Sequence, residues 1–523
     1  MTGQVRTQVV VVGGGPVGLL VAAELGALGV DTVVLEAATE VSMRPRATTL
    51  HARALQCLVR RGYLPELRPH PRDPDGEAAA TPDTATTSVA GSTPFHFGGV
   101  EGLSLSVPAG EPGPLLKRAQ ADLERMLEER AGAAGARILR GHRVTGLTQD
   151  GDGVRATAEG PGGTLSVTGE FLVGADGARS TVRERAGIGA EEWPATVSAM
   201  AGLVDLAENE ALEAGWHRTA RGWLVVKHEP GRGTHLRTLN CCRTHARREE
   251  PLTLRELREE VSWLVGRQVE LERGRWLTRF SDFSRLADRY RAGRVLLVGD
   301  AAHVHFPIGG QGLSTGLQDA VDLGWKLALT VRGQAGEGLL DSYEAERRPA
   351  ARRVIDNTQA QLALMRPGAE VDALRSLFAR MLESEGPGSR LAGLVSAQDT
   401  ALPPRFGPSA WEGRFLPNAA LRTPRGGTDL IGLLRDGRPL LLLFGGPDCA
   451  RLEEQAGPWA DVVRVVRAEP VASLPSPAVL VRPDGYVGWA PGGTDLETAL
   501  EGWFGRRPRR GAGDAGQLTV AGS

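Results

Sequence analysis

The chain has 523 residues, which is long for a single core, so we expect two or three domains. Its 41% hydrophobic and 24% charged residues are typical of a soluble globular protein, and a formal net charge of −2 gives no indication of a nucleic-acid or acidic-membrane partner. Four cysteines without a C-x-x-C pair indicate neither a disulfide framework nor a zinc site, and they fit a cytoplasmic protein.

The chain is predicted to begin with a strand, a helix and a second strand, over residues 9 to 12, 18 to 28 and 32 to 35. The apolar run that contains them is similar to a signal peptide. Gly13 to Gly15 interrupt that run and Glu24 lies inside it, so a βαβ unit is the better explanation. No other stretch approaches the roughly 18 apolar residues that a membrane span needs.

The rest of the chain alternates between strand-like and helical patterns. We predict a long loop over residues 66 to 94, a helix over 119 to 131 and antiparallel strands over 154 to 168. Strands at 223 to 226 and 236 to 239 are expected around a helix at 254 to 264. A strand at 295 to 298 is then followed by helices over 316 to 331 and 344 to 365. A proline-rich linker near residue 403 then leads to strands at 440 to 444, 462 to 466 and 478 to 481, and residues 506 to 523 are expected to be disordered.

A glycine pattern follows the first strand and opens the first helix. Gly13 allows a tight turn, Gly15 lets the backbone approach a pyrophosphate, and Gly18 lets the helix pack on the sheet. The second strand ends in Glu36, about twenty residues further on, where a carboxylate can bind ribose hydroxyls. These features predict a dinucleotide site without distinguishing FAD from NAD, so a plain NAD dehydrogenase is a rival at this point.

The strand at 295 to 298 leads into Gly299 and Asp300. A carboxylate at a strand's end can accept a hydrogen bond from the ribityl chain that only a flavin has; the alternative is that Asp300 caps a helix. The glycine-rich loop that starts at Pro307 lets a flat ring lie on bare backbone, with a helix dipole directed at the ring edge that is negative in reduced flavin. The remaining stretch, around Asp176, is on its own only a turn.

These four stretches, in this order, resemble the single-component FAD-dependent aromatic hydroxylases, such as the para-hydroxybenzoate and phenol hydroxylases, over residues 1 to about 365. The resemblance implies that Asp176 serves both FAD and NAD(P)H, that Val144 packs backbone on adenine and that Pro307 lies beside the reactive flavin carbon, C4a. The expected cofactor-binding residues are Gly13, Gly15, Pro16, Val17, Gly18, Glu36, Arg46, Gln120, Val144, Asp176, Asp300, Pro307, Gly310, Gln311, Gly312 and Leu313.

The aromatic polyketide hydroxylase branch is more similar still, because residues 413 to 417, 434 to 438 and 480 to 489 resemble its thioredoxin-like third domain. Cys449 alone cannot carry out dithiol chemistry, so that domain is interpreted as structural. The expected fold is α/β. It comprises a Rossmann-like FAD-binding domain of the para-hydroxybenzoate hydroxylase type (residues 1–80, 106–185 and 285–395), a mixed α+β substrate domain (81–105 and 186–284) and a thioredoxin-like α/β domain without redox cysteines (400–505).

The resemblance implies a monooxygenase that uses FAD, NADPH or NADH, and O₂. A flavin C4a-hydroperoxide would transfer one oxygen atom to a polycyclic, polyketide-like phenol or quinone. The alternatives are Baeyer–Villiger insertion or rearrangement of the same substrates, hydride transfer without oxygen insertion, and a flavin-bearing scaffold without turnover. We expect a monomer or homodimer without a metal, a nucleic-acid partner or a membrane.

Phe97, Trp216 and Trp223 are candidates for a substrate pocket, and ordinary core packing is the alternative. His303 is interpreted as a hydrogen-bonding residue of the loop, and no side-chain acid or base is assigned. Ser314 stands where the family usually has Asn. We predict that FAD is still bound, with serine as a good cap for a helix from Gly316, and that the shorter side chain changes the room for ring or substrate.

Overall fold

The computed structural model describes residues 3–44, 46–65, 91–243, 250–384, 386–407, 409–472, 474 and 476–507, and its mixed α/β content confirms the prediction. The helices are α1 (Pro16–Ala27), α2 (Ala52–Arg60), α3 (Gln120–Ala133), α4 (Thr181–Arg185), α5 (Leu254–Val265), α6 (Gly312–Val331), α7 (Asp341–Met365), α8 (Ala369–Leu382), α9 (Pro387–Ser396), α10 (Leu430–Leu433), α11 (Cys449–Ala456) and α12 (Leu496–Phe504). Among the residues described, no helix has the length and apolar character to cross a membrane.

The strands fall into three stretches of the chain. The first holds β1 (Gly3–Arg6), β2 (Val9–Val12), β3 (Thr32–Glu36), β4 (Thr49–His51), β5 (Ser92–Phe97), β6 (Val100–Ser106), β7 (Leu115–Lys117), β8 (Arg137–Arg140), β9 (Arg143–Gln149), β10 (Val154–Gly160), β11 (Gly163–Gly169) and β12 (Phe171–Gly174). The second holds β13 (Ala190–Trp193), β14 (Ser198–Leu206), β15 (Gly215–Thr219), β16 (Gly222–Glu229), β17 (Gly233–Asn240), β18 (Leu271–Ser281), β19 (Ser284–Ala287), β20 (Arg291–Ala292), β21 (Val295–Leu297) and β22 (His303–Val304). The third holds β23 (Ala420–Thr423), β24 (Gly426–Asp429), β25 (Leu440–Leu443), β26 (Arg464–Arg467), β27 (Ala478–Val481) and β28 (Val487–Trp489).

A six-stranded sheet carries the glycine motif. Its order is β20-β21-β12-β2-β3-β8, and every strand except β20 is parallel to its neighbour. Strands β2 and β21 are buried along their whole length, which explains their unbroken Val and Leu runs. Because the carboxyl ends of neighbouring parallel strands meet at one edge, the sheet brings Gly13, Asp176 and Asp300 together.

A five-stranded antiparallel sheet, in the order β15-β16-β17-β14-β18, has two apolar faces with different partners. One face packs on α5 through residues such as Leu224 and Leu236. The other packs, through Trp223 and Leu239, on Phe306 of the loop that precedes α6. The alternation of residues along each strand therefore directs one face of this sheet at the glycine-rich loop.

The C-terminal sheet has the order β26-β25-β27-β28, with β26 parallel and β27 antiparallel to β25, which is the arrangement of a thioredoxin-like domain. The connection between β27 and β28 carries Arg482, whose Nη2 lies 2.7 Å from carboxylate oxygens of both Asp322 on α6 and Glu346 on α7. These side chains are buried, and the Lys326 ammonium lies 2.7 Å from Glu346. The buried charges thus join this domain to α6.

Several predicted boundaries are wrong. Helix α1 begins at Pro16 rather than at residue 18, because proline suits the first turn of a helix. Strand β26 begins at Arg464 rather than at residue 462, since the N–H of Val462 closes a turn onto Trp459. Helices α8 and α9 were not predicted. The division of the chain into residue ranges for three domains stays a prediction.

Two predicted irregular segments lie mainly outside the described residues. The loop over residues 66 to 94 is outside them as far as residue 90, and from Ser92 the chain is strand β5 instead of loop. Of the tail from 506 to 523, the structure describes Arg506 and Arg507, which pair with Glu501 and Asp461.

Candidate functional site

Gly13, Gly15 and Gly18, which form the glycine pattern at the start of α1, have three different surroundings. Gly13 has a φ of +111°, and a Cβ atom there would collide with the carbonyl oxygen of Ala175, so the turns after β2 and β12 meet only because Gly13 lacks a side chain. A Cβ atom on Gly18 would collide with the carbonyl oxygen of Gly13. A Cβ atom on Gly15, by contrast, would meet nothing within 4 Å. Open space in front of the N-terminus of α1 fits a pyrophosphate.

Glu36 borders the same space. Its carboxylate accepts hydrogen bonds from the backbone N–H groups of Gly14 and Ala38, both at 2.6 Å. The carbonyl oxygen of Glu36 accepts the N–H of His142 at 2.8 Å, and Val144 follows on β9 with 7% of its surface exposed. The carboxylate is therefore held by the backbone beside the place where the sequence predicts a ribose.

The glycine pattern of residues 13 to 18, the Gly299–Asp300 stretch and the first turns of α6 meet at the side chain of Val17. A Cβ atom on Gly316 would lie 2.8 Å from Cγ2 of Val17, and one on Gly299 would lie 3.3 Å from the same residue. Val17 thus occupies a notch formed by two residues without side chains, and α1 and α6 start next to each other. The arrangement brings the N-termini of two helices to one cleft, where both favour negative charge.

Asp300 directly follows Gly299, which lies next to Val17 and Gly316. Its side chain is accessible to solvent. Burial by surrounding protein atoms nevertheless raises the pKa of its carboxyl, against the opposing charges of His303 and Arg46. Arg46 also interacts electrostatically with Glu124 on α3, and Gln120 lies one turn before Glu124 on the same helix. The predicted FAD contacts Arg46, Gln120 and Asp300 therefore lie around the same space.

The carboxylate of Asp176 is engaged within its own loop. It accepts hydrogen bonds from Oγ of Ser180 at 2.5 Å and from the N–H of Val182 at 3.0 Å, and burial raises its pKa. Ser180 in turn caps α4 by accepting the N–H of Arg183. Asp176 thus fixes the shape of the turn that meets Gly13, and its expected contact with FAD and NAD(P)H stays a prediction.

The loop before α6 exposes bare backbone. Gly309 and Gly310 have φ values of +71° and +69°, which favour glycine, and Pro307 before them is exposed. A Cβ atom on Gly310 would lie 3.0 Å from Cβ of Thr49 on β4. Leu313 in the first turn of α6 is half-buried. The close approach of β4 leaves no room for a side chain at Gly310.

Helix α6 begins at Gly312 with Gln311 as its cap residue, so the prediction of a helix from Gly316 behind a serine cap is wrong. The helical hydrogen bonds start before Gly316, since Thr315 already donates its N–H to the Gln311 carbonyl at 3.0 Å. Ser314 lies in the first turn with 3% of its surface exposed, and its Oγ accepts the N–H of His51 at 3.0 Å. Ser314 therefore joins α6 to β4.

Three buried nitrogen atoms around this loop have no partner among the described residues: His51 Nδ1, His305 Nε2 and Gln311 Nε2. The other ring nitrogen of His51 donates to the Gly309 carbonyl at 2.7 Å. A Cβ atom on Gly312 would lie 3.2 Å from His305 Nε2. Burial lowers the pKa of both imidazoles to about 4, so both are neutral at neutral pH. Buried polar atoms without partners are costly, and a heterocycle with carbonyl and ring-nitrogen atoms would satisfy them, so these residues fit a flavin ring.

A second hydrogen-bond network connects the residues before this loop with α6 and α7. Asp319 on α6 accepts a hydrogen bond from the N–H of Gly299 at 3.2 Å and lies 2.6 Å from His303 Nε2. Arg347 on α7 donates to its other oxygen at 2.8 Å. Although burial opposes it, the charges of His303 and Arg347 lower the pKa of Asp319. The interpretation of His303 as a hydrogen-bonding residue is confirmed. The roles of Asp319 and His51 were missed because neither stands in a motif.

The three candidate pocket aromatics have different environments. Trp216 is 44% exposed and Trp223 3%; their rings meet edge to face at 6.0 Å on the sheet face directed at the loop. Trp223 also donates its indole N–H to the Met365 carbonyl at 2.7 Å. Phe97 is 3% exposed and packs on Phe378 at 5.3 Å between ring centroids. Their role in a pocket stays a prediction.

All four cysteines are free thiols. Cys449 is the first residue of α11, and Cys57, on α2, is buried. The thioredoxin-like unit therefore holds no cysteine pair.

The chain matches the family described as "FAD binding domain" over residues 6–358 and the family described as "Aromatic-ring hydroxylase, C-terminal" over residues 409–507. A 12-dehydrotetracycline 5-monooxygenase/anhydrotetracycline 6-monooxygenase of Streptomyces rimosus is 37% identical, over 96% of this chain and 99% of that protein. A dialkyldecalin synthase of Streptomyces rugosporus is 36% identical, over 95% of this chain and 98% of that protein. The solved structure of CabE, an aromatic hydroxylase from angucycline biosynthesis, has a TM-score of 0.83 and 35% identity, over 96% of this chain and 100% of that one. These likenesses confirm the resemblance and the fold class. The chain therefore belongs to the FAD-dependent aromatic-ring hydroxylase family of monooxygenases.

Proposed function

We propose that this protein uses NAD(P)H and O₂ to insert one oxygen atom into a polycyclic, polyketide-like phenol or quinone. The observation that carries the proposal is the bare-backbone loop before α6. Around it, buried nitrogen atoms of His51, His305 and Gln311 have no partner within the described part of the chain, and a partly aromatic sheet face is directed at it. The relatives that act on a tetracycline intermediate or in angucycline biosynthesis support the substrate class.

The residues have separable roles in this proposal. Gly15 and the N-terminus of α1 receive the pyrophosphate, Glu36 the ribose and Asp300 the ribityl chain. The ring lies on the backbone of residues 310 to 313 beside Pro307. The remaining contacts that we propose for FAD and NAD(P)H are Gly13, Pro16, Val17, Gly18, Arg46, Gln120, Val144 and Asp176. FAD, once reduced, supplies the activation of O₂, and the protein positions the substrate and excludes water.

The decisive experiment separates oxygen insertion from the other outcomes. The purified protein should show the two visible absorption bands of oxidised flavin, and a substrate from a screen of tetracyclic and angular polyketide phenols should stimulate NAD(P)H oxidation. Isotopically labelled O₂ should place one labelled atom in the product. A product in which the label forms an ester beside a former ketone would instead show Baeyer–Villiger insertion. NAD(P)H oxidation with an unlabelled product would show hydride transfer.

A second candidate is a cyclase in which flavin is bound but not turned over. It is favoured by one specific observation, the 36% identity with a dialkyldecalin synthase. This candidate predicts conversion of a linear polyene substrate without consumption of NAD(P)H or O₂. The same assay therefore distinguishes it, since conversion would proceed under argon.

A further inference from the structure

We propose that Lys117 and Arg237 form a cationic subsite, in the cleft in front of the loop before α6, that binds the ionised phenol or enol oxygen of the substrate. The inference rests on the proposed function, since it needs the aromatic substrate to enter this cleft. It adds that the substrate is bound as its anion and that two named cations select that form.

Lys117 is placed by the loop on which the flavin ring is proposed to lie. It ends β7, where it pairs with Thr49 of β4, and its ammonium donates to Oγ1 of Thr49 at 2.6 Å. Thr49 is the residue that a Cβ atom on Gly310 would touch. Because Lys117 and Thr49 are directly opposite each other, their side chains lie on the same face. The side chain of Thr49 is therefore all that separates the Lys117 ammonium from Gly310 of the glycine-rich loop.

The position of Arg237 follows from the register of the five-stranded antiparallel sheet. It lies on β17 opposite Ala201 of β14 and Val225 of β16. Two residues further along the same strand, Leu239 packs on Phe306 next to the loop. Residues two apart share a face, so Arg237 projects from the same face, one row further from the loop. Its side chain is exposed and makes no hydrogen bond or ion pair with another described residue.

The two cations act on each other, and no carboxylate of a described residue pairs with either of them. Burial lowers the pKa of the Lys117 ammonium, and the charges of Arg237 and Lys227 lower it further. Although Arg237 is accessible to solvent, the protein atoms around its guanidinium exclude part of the water and lower its pKa as well. Around them, Lys227 on β16 is paired with Glu229 at 3.2 Å. The imidazoles His51, His96 and His235, from β4, β5 and β17, have pKa values lowered to about 4 by burial and are neutral at neutral pH. Among the described residues, neither positive charge in the cleft has a carboxylate partner.

An anionic oxygen is the ligand that this arrangement favours. A bound phenol would lose its O–H proton to solvent, and the electron pair would stay on the oxygen between the two cations. The ring becomes more electron-rich, which suits attack on an electrophilic oxygen atom. No protein base is needed, in agreement with three neutral imidazoles that are poor proton acceptors near neutral pH. A carboxylate would offer the same negative oxygen, and the experiment separates the two sources.

The test uses alizarin, a hydroxyanthraquinone whose neutral and ionised forms differ in colour, with the FAD-loaded protein. Bound alizarin should ionise at a lower pH than free alizarin. In Arg237→Met and Lys117→Met, ionisation of the bound dye should move up by about one pH unit, equivalent to a tenfold loss of affinity for the anion. Arg237→Lys should recover most of the effect. Arg255→Met is the matched control, since Arg255 lies on α5, against the opposite sheet face, and is 74% exposed.

The outcomes distinguish this inference from the proposed function. Absence of dye binding to the parent protein, ionisation as in free solution, or equal behaviour of the two Met variants and the parent would overturn the subsite. Tight binding of anthraquinone-2-carboxylate, with alizarin bound only as the neutral phenol, would show a carboxylate site and also overturn it. Labelled oxygen in a product from the parent protein, together with any of these results, would leave the monooxygenase proposal standing.

Discussion

Val17 on α1 occupies the space that the missing side chain of Gly316 leaves on α6. A Cβ atom at Gly316 would lie 2.8 Å from Cγ2 of Val17 and 3.2 Å from Cα of Gly299. The contact sets the distance between two helices whose N-termini border the proposed FAD cleft. It also explains why a glycine stands in the first turns of a buried helix, where alanine would have the higher helix propensity.

We therefore expect Gly316→Ala to move the two helix starts apart and to weaken FAD binding at least tenfold, about 1.4 kcal/mol. Fluorescence titration of the apoprotein with FAD measures the effect. The matched control is Gly132→Ala in α3, where a Cβ atom meets nothing within 4 Å and helix propensity alone should stabilise by up to about 1 kcal/mol. Equal FAD affinity in Gly316→Ala and the parent would contradict the role of the notch.

Gly15→Ala should weaken FAD binding without weakening the fold. The backbone at Gly15 is extended, with φ −76° and ψ 176°, and a Cβ atom there meets only open space. The free energy of unfolding of the apoprotein should hardly change, whereas FAD affinity should fall by a factor of about ten or more because the methyl group occupies the space proposed for the pyrophosphate. Gly151→Ala, in a surface loop with equally open surroundings, should change neither quantity. Unchanged FAD affinity in Gly15→Ala would place the cofactor elsewhere.

Ser314→Ala should loosen the contact between α6 and β4. It removes the acceptor for the His51 N–H, and a buried donor without a partner costs about 1–3 kcal/mol. Ser314→Asn, the residue usual in the family, adds volume at a site with 3% exposure, so we expect it to displace β4 and to change the coupling of NAD(P)H oxidation to product. Denaturant unfolding and the ratio of product to NAD(P)H consumed measure the two effects. If both variants match the parent, the link through Ser314 has no consequence.

Arg482→Met should detach the thioredoxin-like unit from α6. The variant leaves the buried carboxylates of Asp322, Glu346 and Asp484 without their main cation, and breaking such a pair costs about 3–5 kcal/mol. Arg451→Met, which removes an exposed pair with Asp448 in the same unit, should cost less than about 1 kcal/mol. Denaturant unfolding of both variants tests this. Similar losses in the two variants would show that the buried cluster does not hold the units together.

The free energy of unfolding should decrease as the pH is lowered from 6.5 to 4. His51 and His305 have folded-state pKa values of about 4, below the ordinary value of 6.5, because burial disfavours the imidazolium. In that window the unfolded chain binds protons that the folded protein does not, so each histidine reduces stability by up to about 1.4 kcal/mol per pH unit as the pH falls. His51→Asn should reduce the slope by up to one proton. An unchanged slope, with FAD saturating in both proteins, would refute the assignment.

The cofactor motifs could be located from the amino-acid pattern without a structure. Gly13 allows a positive φ, Gly15 leaves open space before α1, and Gly18 allows a close backbone contact. Glu36 ends one strand and Asp300 follows another, and both strands are recognisable as short apolar runs. Because the carboxyl ends of parallel strands meet at one edge, these residues could be placed together without coordinates. The start of α6 could not be placed in the same way, since the choice between Gly312 and Gly316 depends on whether the loop before it is fixed by contacts with β4.

The other residues of the candidate site could be identified only from their long-range contacts. His51 reaches Gly309 and Ser314 across more than 250 residues of chain. Asp319 acquires its role from Gly299, His303 and Arg347. Lys117 and Arg237 stand outside every motif, and the subsite proposed for them depends on two sheets that each direct one face at the same loop. Long-range contacts of this kind leave no periodic signal in the sequence, because the partner of each residue is set by packing and not by spacing.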